Sequence, residues 1–395
     1  MPSMLEPTSS HAAMNASLPP SVLLRAFGRL ACVAGLGLSA CATTQGRAVT
    51  APPDDRVEME QMVVRADADP LTGLDTYDAE TLFVLASEEA KAERFDQAIR
   101  IYRKLLGEFP DSKVVPLARY NGALALEALE EHPEAVSLLE ALVASEPESA
   151  DLRRDALFRL ARGYGKVENW VGVADTFWAV RQMDNLSPMD ELEARVGTGI
   201  GFFMQEDYAT AERELMRMVT FYQDHEQKDL LPADYFVGQA RFYLGEIAAR
   251  ELEHKSLSPP PSEGGGEEAW VEAMAEELED KCRLLLRAQN NFIRTIRVGH
   301  PGWATAAGYR IGTLYEHLFD AMLGVPVPPS LDEGAAEVYR EELRERVGIL
   351  VKKAIRVYEM NRAMAERIGE ENEWVERTAS ALERMKKLYL DATES

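Results

Sequence analysis

From residue 79 onward, apolar side chains return every three or four positions, the period of a helix with one buried face. In residues 79–112 (AETLFVLASEEAKAERFDQAIRIYRKLLGEFPDS) the set is Leu82, Leu85 and Ala86, then Phe95, Ala98, Tyr102 and Leu105, with Pro110 behind it. That pattern predicts two short helices, a turn between them and a stop at the proline. The set returns from Pro116 with Tyr120, Ala123, Leu126, Ala135, Leu139, Leu142 and Pro147. From Arg154 it returns with Leu157, Leu160, Ala161, Tyr164, Trp170, Phe177 and Val180, and from Leu192 with Gly199, Phe202, Tyr208, Ala211, Leu215 and Met218. The copies begin at 79, 116, 154 and 192, in steps of 37, 38 and 38 residues. Alternating runs of β-branched residues, the mark of strands, are missing.

Past residue 230 the copies become irregular. Leu244, Gly245 and Ala248 mark a fifth first helix, and Ala288 and Phe292 its partner within about 267–298. Ile311, Gly312 and Tyr315 mark a sixth first helix, and Ala354 and Tyr358 open its partner. Two Pro/Gly-rich insertions, 255–268 (KSLSPPPSEGGGEE) and 324–334 (GVPVPPSLDEG), read as loops. Residues of about 371–391 read as a capping helix that closes the array.

The spacing of large, small and proline positions resembles the tetratricopeptide repeat. Small residues at positions 8 and 20 let the two helix axes approach, and large ones at 4, 11, 17 and 24 fill the gaps. Glu89 departs from the pattern at position 11, and Val173 takes the place of Ala at position 20. The resemblance implies an all-α helical-hairpin solenoid of about six repeats: four regular hairpins over 79–230, then two irregular ones and a cap over 231–395. It also implies a concave face lined by positions 2, 5, 9 and 12 of each first helix. Carried over, these are Glu80, Phe83 and Ser87; Leu117, Tyr120, Leu124 and Glu127; Phe158 and Arg162; and Val196, Ile200 and Phe203. Aromatic side chains beside a few charges suit a partner helix or an extended peptide.

The N-terminal segment has a different character. Arg25 and Arg29 precede the apolar run Leu30–Ala40, whose eleven residues are too few to span a membrane as a helix. Positive charge, a short apolar run and small residues at its end make a secretory signal over 1–40, with Met14 as a second candidate start. The run ends Leu38-Ser39-Ala40-Cys41, which resembles the lipobox of bacterial lipoproteins. That resemblance implies cleavage after Ala40, a diacylglyceryl group on the Cys41 sulfur and acylation of the new amine, a firm anchor where one chain would be marginal. Ala42 rather than Asp implies sorting to the outer membrane, with the body in the periplasm. Residues 41–76, polar and Pro-containing, read as a tether.

A formal net charge of −24 repels phosphate backbones and turns the reading away from nucleic acid. The three cysteines, Cys32, Cys41 and Cys282, make no disulfide framework. The six histidines form no HExxH motif and no close Cys/His cluster, so neither a metal nor a cofactor is expected. His132 falls on an aromatic packing position, and Glu316-His317 reads as a surface pair. No phosphate loop, nucleophile elbow or dinucleotide fingerprint is present, so neither catalysis nor a small-molecule substrate is expected. The expected function is a lipid-anchored scaffold that docks other envelope proteins. In layout the chain is similar to tetratricopeptide lipoproteins of barrel-assembly and myxobacterial gliding complexes. The alternative, a peptidoglycan-acting enzyme with helical repeats, needs a catalytic Glu in a separate soluble lobe, and the repeats leave no room for one.

Overall fold

The computed structural model describes residues 74–226, 234–257, 267–327 and 331–394. The signal, the lipobox cysteine Cys41 and nearly all of the tether lie outside the described residues, as do the middles of both insertions. The described body is all-α, with thirteen α-helices and no strand among the described residues. The first eight form four hairpins: α1 (Ala79–Lys91) with α2 (Phe95–Glu108), α3 (Val115–Ala128) with α4 (His132–Ala144), α5 (Ala150–Lys166) with α6 (Trp170–Val180), and α7 (Pro188–Met204) with α8 (Tyr208–Glu226). Longer helices follow: α9 (Asp234–His254) with α10 (Glu267–Val298), α11 (Pro301–Leu323) with α12 (Glu333–Ile368), and last α13 (Glu373–Glu394). Each helix packs chiefly on its neighbours in sequence, and first helices also touch the next first helix, as α1 touches α3, α7 touches α9 and α9 touches α11. The fold is therefore a helical-hairpin solenoid, held by nearest-neighbour interfaces.

The turn inside each regular hairpin is built alike. The second helices begin at Phe95, His132, Trp170 and Tyr208, the residues at repeat position 17. Two residues before each start stands a glutamate with a left-handed backbone: Glu93 (φ 59°), Glu130 (φ 61°), Glu168 (φ 57°) and Glu206 (φ 63°). In the first, Glu93 N–H donates to Ala90 O at 3.0 Å and Arg94 N–H reaches back five residues to Glu89 O at 2.9 Å. The other three repeat this pair of bonds, through Glu131 to Leu126, Asn169 to Tyr164 and Asp207 to Phe202. This is the Schellman closure of a helix, whose left-handed residue is ordinarily glycine, as Gly369 (φ 68°) is at the end of α12. A side chain with a Cβ pays for that conformation with about 1 kcal/mol. Replacing all four exposed glutamates by glycine is expected to stabilise the body by about 0.5–1 kcal/mol per site, nearly additively. A raised denaturant midpoint checks this; a lowered one removes the left-handed assignment.

Small residues bring the helices together. At position 8 of the last three hairpins stand Gly199, Gly245 and Gly312. A Cβ on them would lie 2.7 Å from Leu215, 2.5 Å from Phe292 and 2.1 Å from Tyr358, the residues at position 24 of the same hairpins. The glutamate at position 11 is explained by the turn. Glu89 is nearly buried, and Arg94 donates to it through Nε and through Nη2 at 3.0 Å, which holds its carboxyl below the usual carboxylate range.

Arginines stitch successive hairpins. Arg103 pairs with Glu134 from α2 to α4, Arg159 with Glu127 from α5 to α3, Arg162 with Glu193 from α5 to α7, and Arg181, at the C-terminal cap of α6, with Glu214 of α8. Farther along, Arg287 bridges Glu212 of α8 and Glu251 of α9. Exposed pairs contribute little singly, but here they fall at every inter-hairpin step.

Candidate protein-binding face

The first helices α3 and α5 bring three polar groups into one cluster. Arg159 Nε donates to Tyr120 Oη at 3.0 Å, its guanidinium lies 5.5 Å from the Tyr120 ring centre, and Nη1 donates to Glu127 Oε2 at 2.6 Å. Tyr120 is buried up to its hydroxyl, while Glu127 and Arg159 are half-exposed. One step along, Arg162 lies 6.0 Å from the Phe158 ring centre and donates to Glu193 Oε1 at 2.6 Å, with its own side chain 58% exposed. Phe158 is itself buried, edge-on to Phe177 at 6.0 Å. The two clusters leave Glu127, Arg159 and Arg162 at the solvent boundary above the buried rings of Tyr120 and Phe158, a set able to offer charge-assisted bonds to the backbone of a peptide.

The other expected residues divide. Glu80 and Leu117 are exposed, with Leu117 offering 43% of its surface to solvent, and Leu124 is half-buried on the core of the second hairpin. Phe83 lies 6.3 Å from Tyr102, and Ser87 Oγ donates to Phe83 O and sits 3.0 Å from Tyr102 Oη, so both are spent inside the first hairpin. Tyr120 and Phe158 keep their rings buried beneath their clusters, and Val196, Ile200 and Phe203 require the larger correction: all three are buried in the core and offer no partner a surface. The reason is α9, which lies over both α7 and α8. Its Tyr243 meets Phe203 edge-on at 5.0 Å and completes that burial. Cys41 lies outside the described residues.

Three residues escaped the sequence reading. Glu193 holds position 2 of the fourth copy and was findable by the same count. Arg159 stands one residue off the counted positions, and only the packing of α5 on α3 reveals it. Val84, also one residue off, is 54% exposed.

Two further polar clusters tie helices together. Lys281 is buried, and its Nζ donates to Leu252 O at 2.9 Å and to Lys255 O, with His317 Nε2 3.3 Å away. It closes the carbonyl end of α9 where the first insertion begins. Burial pushes the Lys281 ammonium below its ordinary range, and burial followed by the Lys281 charge does the same to the His317 imidazole. Glu316 is no surface residue: Tyr358 Oη donates to it, as does Arg384 Nη2 at 2.7 Å. Among the described residues, no three His, Cys, Asp or Glu side chains converge as a metal site would require. No described helix is long and apolar enough to cross a membrane.

No family model and no curated protein matches the chain. Solved structures that share its helical layout include the C-terminal part of a TPR repeat-containing protein from Cytophaga hutchinsonii, with 11% identity, 78% of this chain and 98% of that chain covered, and a TM-score of 0.40. The apo form of RapI shares it with 9% identity, 80% and 99% coverage, and a TM-score of 0.39. A TPR repeats protein from Bacteroides fragilis shares it with 12% identity, 79% and 100% coverage, and a TM-score of 0.26. The hairpin fold of this chain stands on its own helix order and packing.

Proposed function

We propose that the chain is a protein-interaction scaffold of the bacterial envelope, held at a membrane by lipid on Cys41, with its body in the periplasm. The observation that carries the interaction role is the pair of clusters on α3, α5 and α7. There Arg162 keeps most of its side chain in water although Glu193 is already its partner. A carboxylate or backbone carbonyl of an incoming peptide gains a charge-assisted bond at Arg162 with little desolvation of the rest of the face. Leu117 on α3 and Val84 on α1 supply exposed apolar contact on the first helices. The partner class is another envelope protein presenting a helix or extended segment, as in barrel-assembly and gliding-motility complexes. The anchor is supported by the Leu38-Ser39-Ala40-Cys41 pattern behind its short apolar run.

The test pairs two variants in the native host. Cells fed a tagged fatty acid are expected to label the wild type and Arg162→Glu, but not Cys41→Ala. Cross-linking in intact cells, followed by mass spectrometry, is expected to give a partner with wild type and at least about tenfold less of it with Arg162→Glu, which turns an attractive charge at the rim into a repulsive one. Label retained on Cys41→Ala refutes the anchor. Partner yield unchanged in Arg162→Glu refutes the face.

A further inference from the structure

A second surface lies on the other side of the array, among the second helices. Between α10 and α12, with α11 as its floor, runs a cleft of about 490 Å³. Gln289, Ile293 and Ile296 form one wall and Val357, Met360 and Met364 the other, while Gly308 and Ile311 lie beneath. Met360 is 63% exposed, the most exposed large apolar side chain among the described residues. Nothing among the described residues covers it.

Two further observations say what would. The first is an orphan acceptor. Asn361 is 4% exposed and lines the cleft; its Nδ2 donates to Thr305 O at 3.0 Å and Thr378 Oγ1 at 2.8 Å, yet its Oδ1 has no partner. A Cβ on Gly308 would come within 2.0 Å of that oxygen, so glycine is what leaves room for it. A buried acceptor left unpaired is destabilising, and a donor entering the cleft relieves it. The second is charge. Arg297 shares the face of Ile293, four residues on, and Arg367 follows Met364 by three. Both are exposed, and neither is ion-paired with another described residue. They stand in the last turns of α10 and α12 and offset the dipoles there. Each dipole end amounts to only about half a charge, so the two guanidinium groups outweigh the two dipole ends, and Glu366, the acid next to Arg367 in sequence, already pairs with Arg362.

We propose that this cleft is a second docking site, and that its occupant is an amphipathic helix of a partner protein with an apolar stripe and an acidic flank. The stripe lies on Ile293, Ile296, Val357 and Met360, between α10 and α12, as one more helix in the stack. A Tyr or Trp on the stripe donates to Asn361 Oδ1. Aspartates or glutamates on the flank meet Arg297 and Arg367. Adaptable methionines suit a surface that must accept an incoming apolar face. This site is separate from the face on α3, α5 and α7 and does not depend on it.

Dye-labelled helical peptides titrated into the purified full chain test this by fluorescence anisotropy. The peptides share one Trp-containing apolar stripe and differ in carrying Glu or Lys on the flank. The Glu-flanked peptide is expected to bind about tenfold or more tighter than the Lys-flanked one at low salt, with the gap shrinking as salt rises. Met360→Glu is expected to weaken it about tenfold. The double variant Arg297→Glu with Arg367→Glu is expected to reverse the preference. All three side chains are exposed, so the fold survives these changes. Arg162→Glu, on the other face, should leave the titration unchanged. Equal binding of the two peptides, no binding of either, or indifference to Met360→Glu overturns the proposal. Loss of binding in Arg162→Glu also overturns it, because it places the peptide on the other face.

Discussion

Gly312→Val is expected to destabilise the C-terminal end of the array by about 3 kcal/mol, at the upper end of what overpacking costs. Gly312 sits in α11 where its Cα meets the ring of Tyr358, and even a Cβ there would lie 2.1 Å from that ring. The ring has no way to yield. Tyr358 is fully buried, and its hydroxyl is tied to Glu316, which Arg384 of α13 holds in turn. Moving the ring therefore disturbs α11, α12 and α13 together. A β-branched residue in mid-helix adds a smaller cost. Gly348→Ala, in α12, is the matching control: nothing lies within 4 Å of the added Cβ, so the helix gains about 0.5–1 kcal/mol. Denaturant melts give the two signs, and hydrogen exchange gives the location. Exchange in Gly312→Val should quicken over residues 301–394 and stay near wild type over 79–180, because coupling in a stack fades with each interface. A Gly312→Val protein as stable as wild type would remove the assignment of this glycine to the close helix contact.

What the sequence made legible was the local part of this packing. Position 8 and position 24 lie on one hairpin, so the small residue and the large one it opposes can both be counted off without knowing how hairpins stack. The same holds for the starts at Phe95, His132, Trp170 and Tyr208, which a turn and a large side chain mark within a few residues. The candidate face was only half legible. The residues expected on the first three hairpins do lie on α1, α3 and α5, but a position count says nothing about what covers them. Val196, Ile200 and Phe203 continue the row by spacing alone, and the longer helix α9, which follows them in sequence, folds back over them. The pairing of Glu316 with Tyr358 and Arg384 spans 42 and 68 residues. No periodic signal at that range distinguishes a buried carboxylate from a surface one. The cleft between α10 and α12 was invisible for the same reason: Gln289, Gly308 and Met360 become neighbours only through three helices packed side by side.

Arg310→Ala is expected to cost about 3–5 kcal/mol, the penalty for stranding a buried charge. Arg310 joins the first helices of the fifth and sixth hairpins. Its Nε donates to Glu246, Nη2 to Glu253 Oε1 at 3.1 Å, and Nη1 to Thr313 Oγ1 at 3.0 Å, so every nitrogen is used. Glu246 is almost wholly buried in α9 and depends on this guanidinium for compensation. Burial alone would lower the Arg310 pKa, but the two glutamates outweigh it and hold the group charged. Truncation leaves the Glu246 carboxylate in a site without a cation, whereas removing both charges leaves an apolar gap that side chains of similar volume fill. The double variant Arg310→Met with Glu246→Leu is therefore expected to recover most of the loss, since buried pairs exchanged for packed apolar groups are often neutral or better. With the single variants Arg310→Met and Glu246→Leu as the other corners, the interaction energy of the cycle should exceed about 2 kcal/mol. Hydrogen exchange in Arg310→Ala should quicken over α9 and α11, where the pair joins the two helices, before it quickens in α3 or α5. If the double variant is no more stable than Arg310→Ala, the arginine holds the fifth and sixth hairpins together by its bulk and not by its charge.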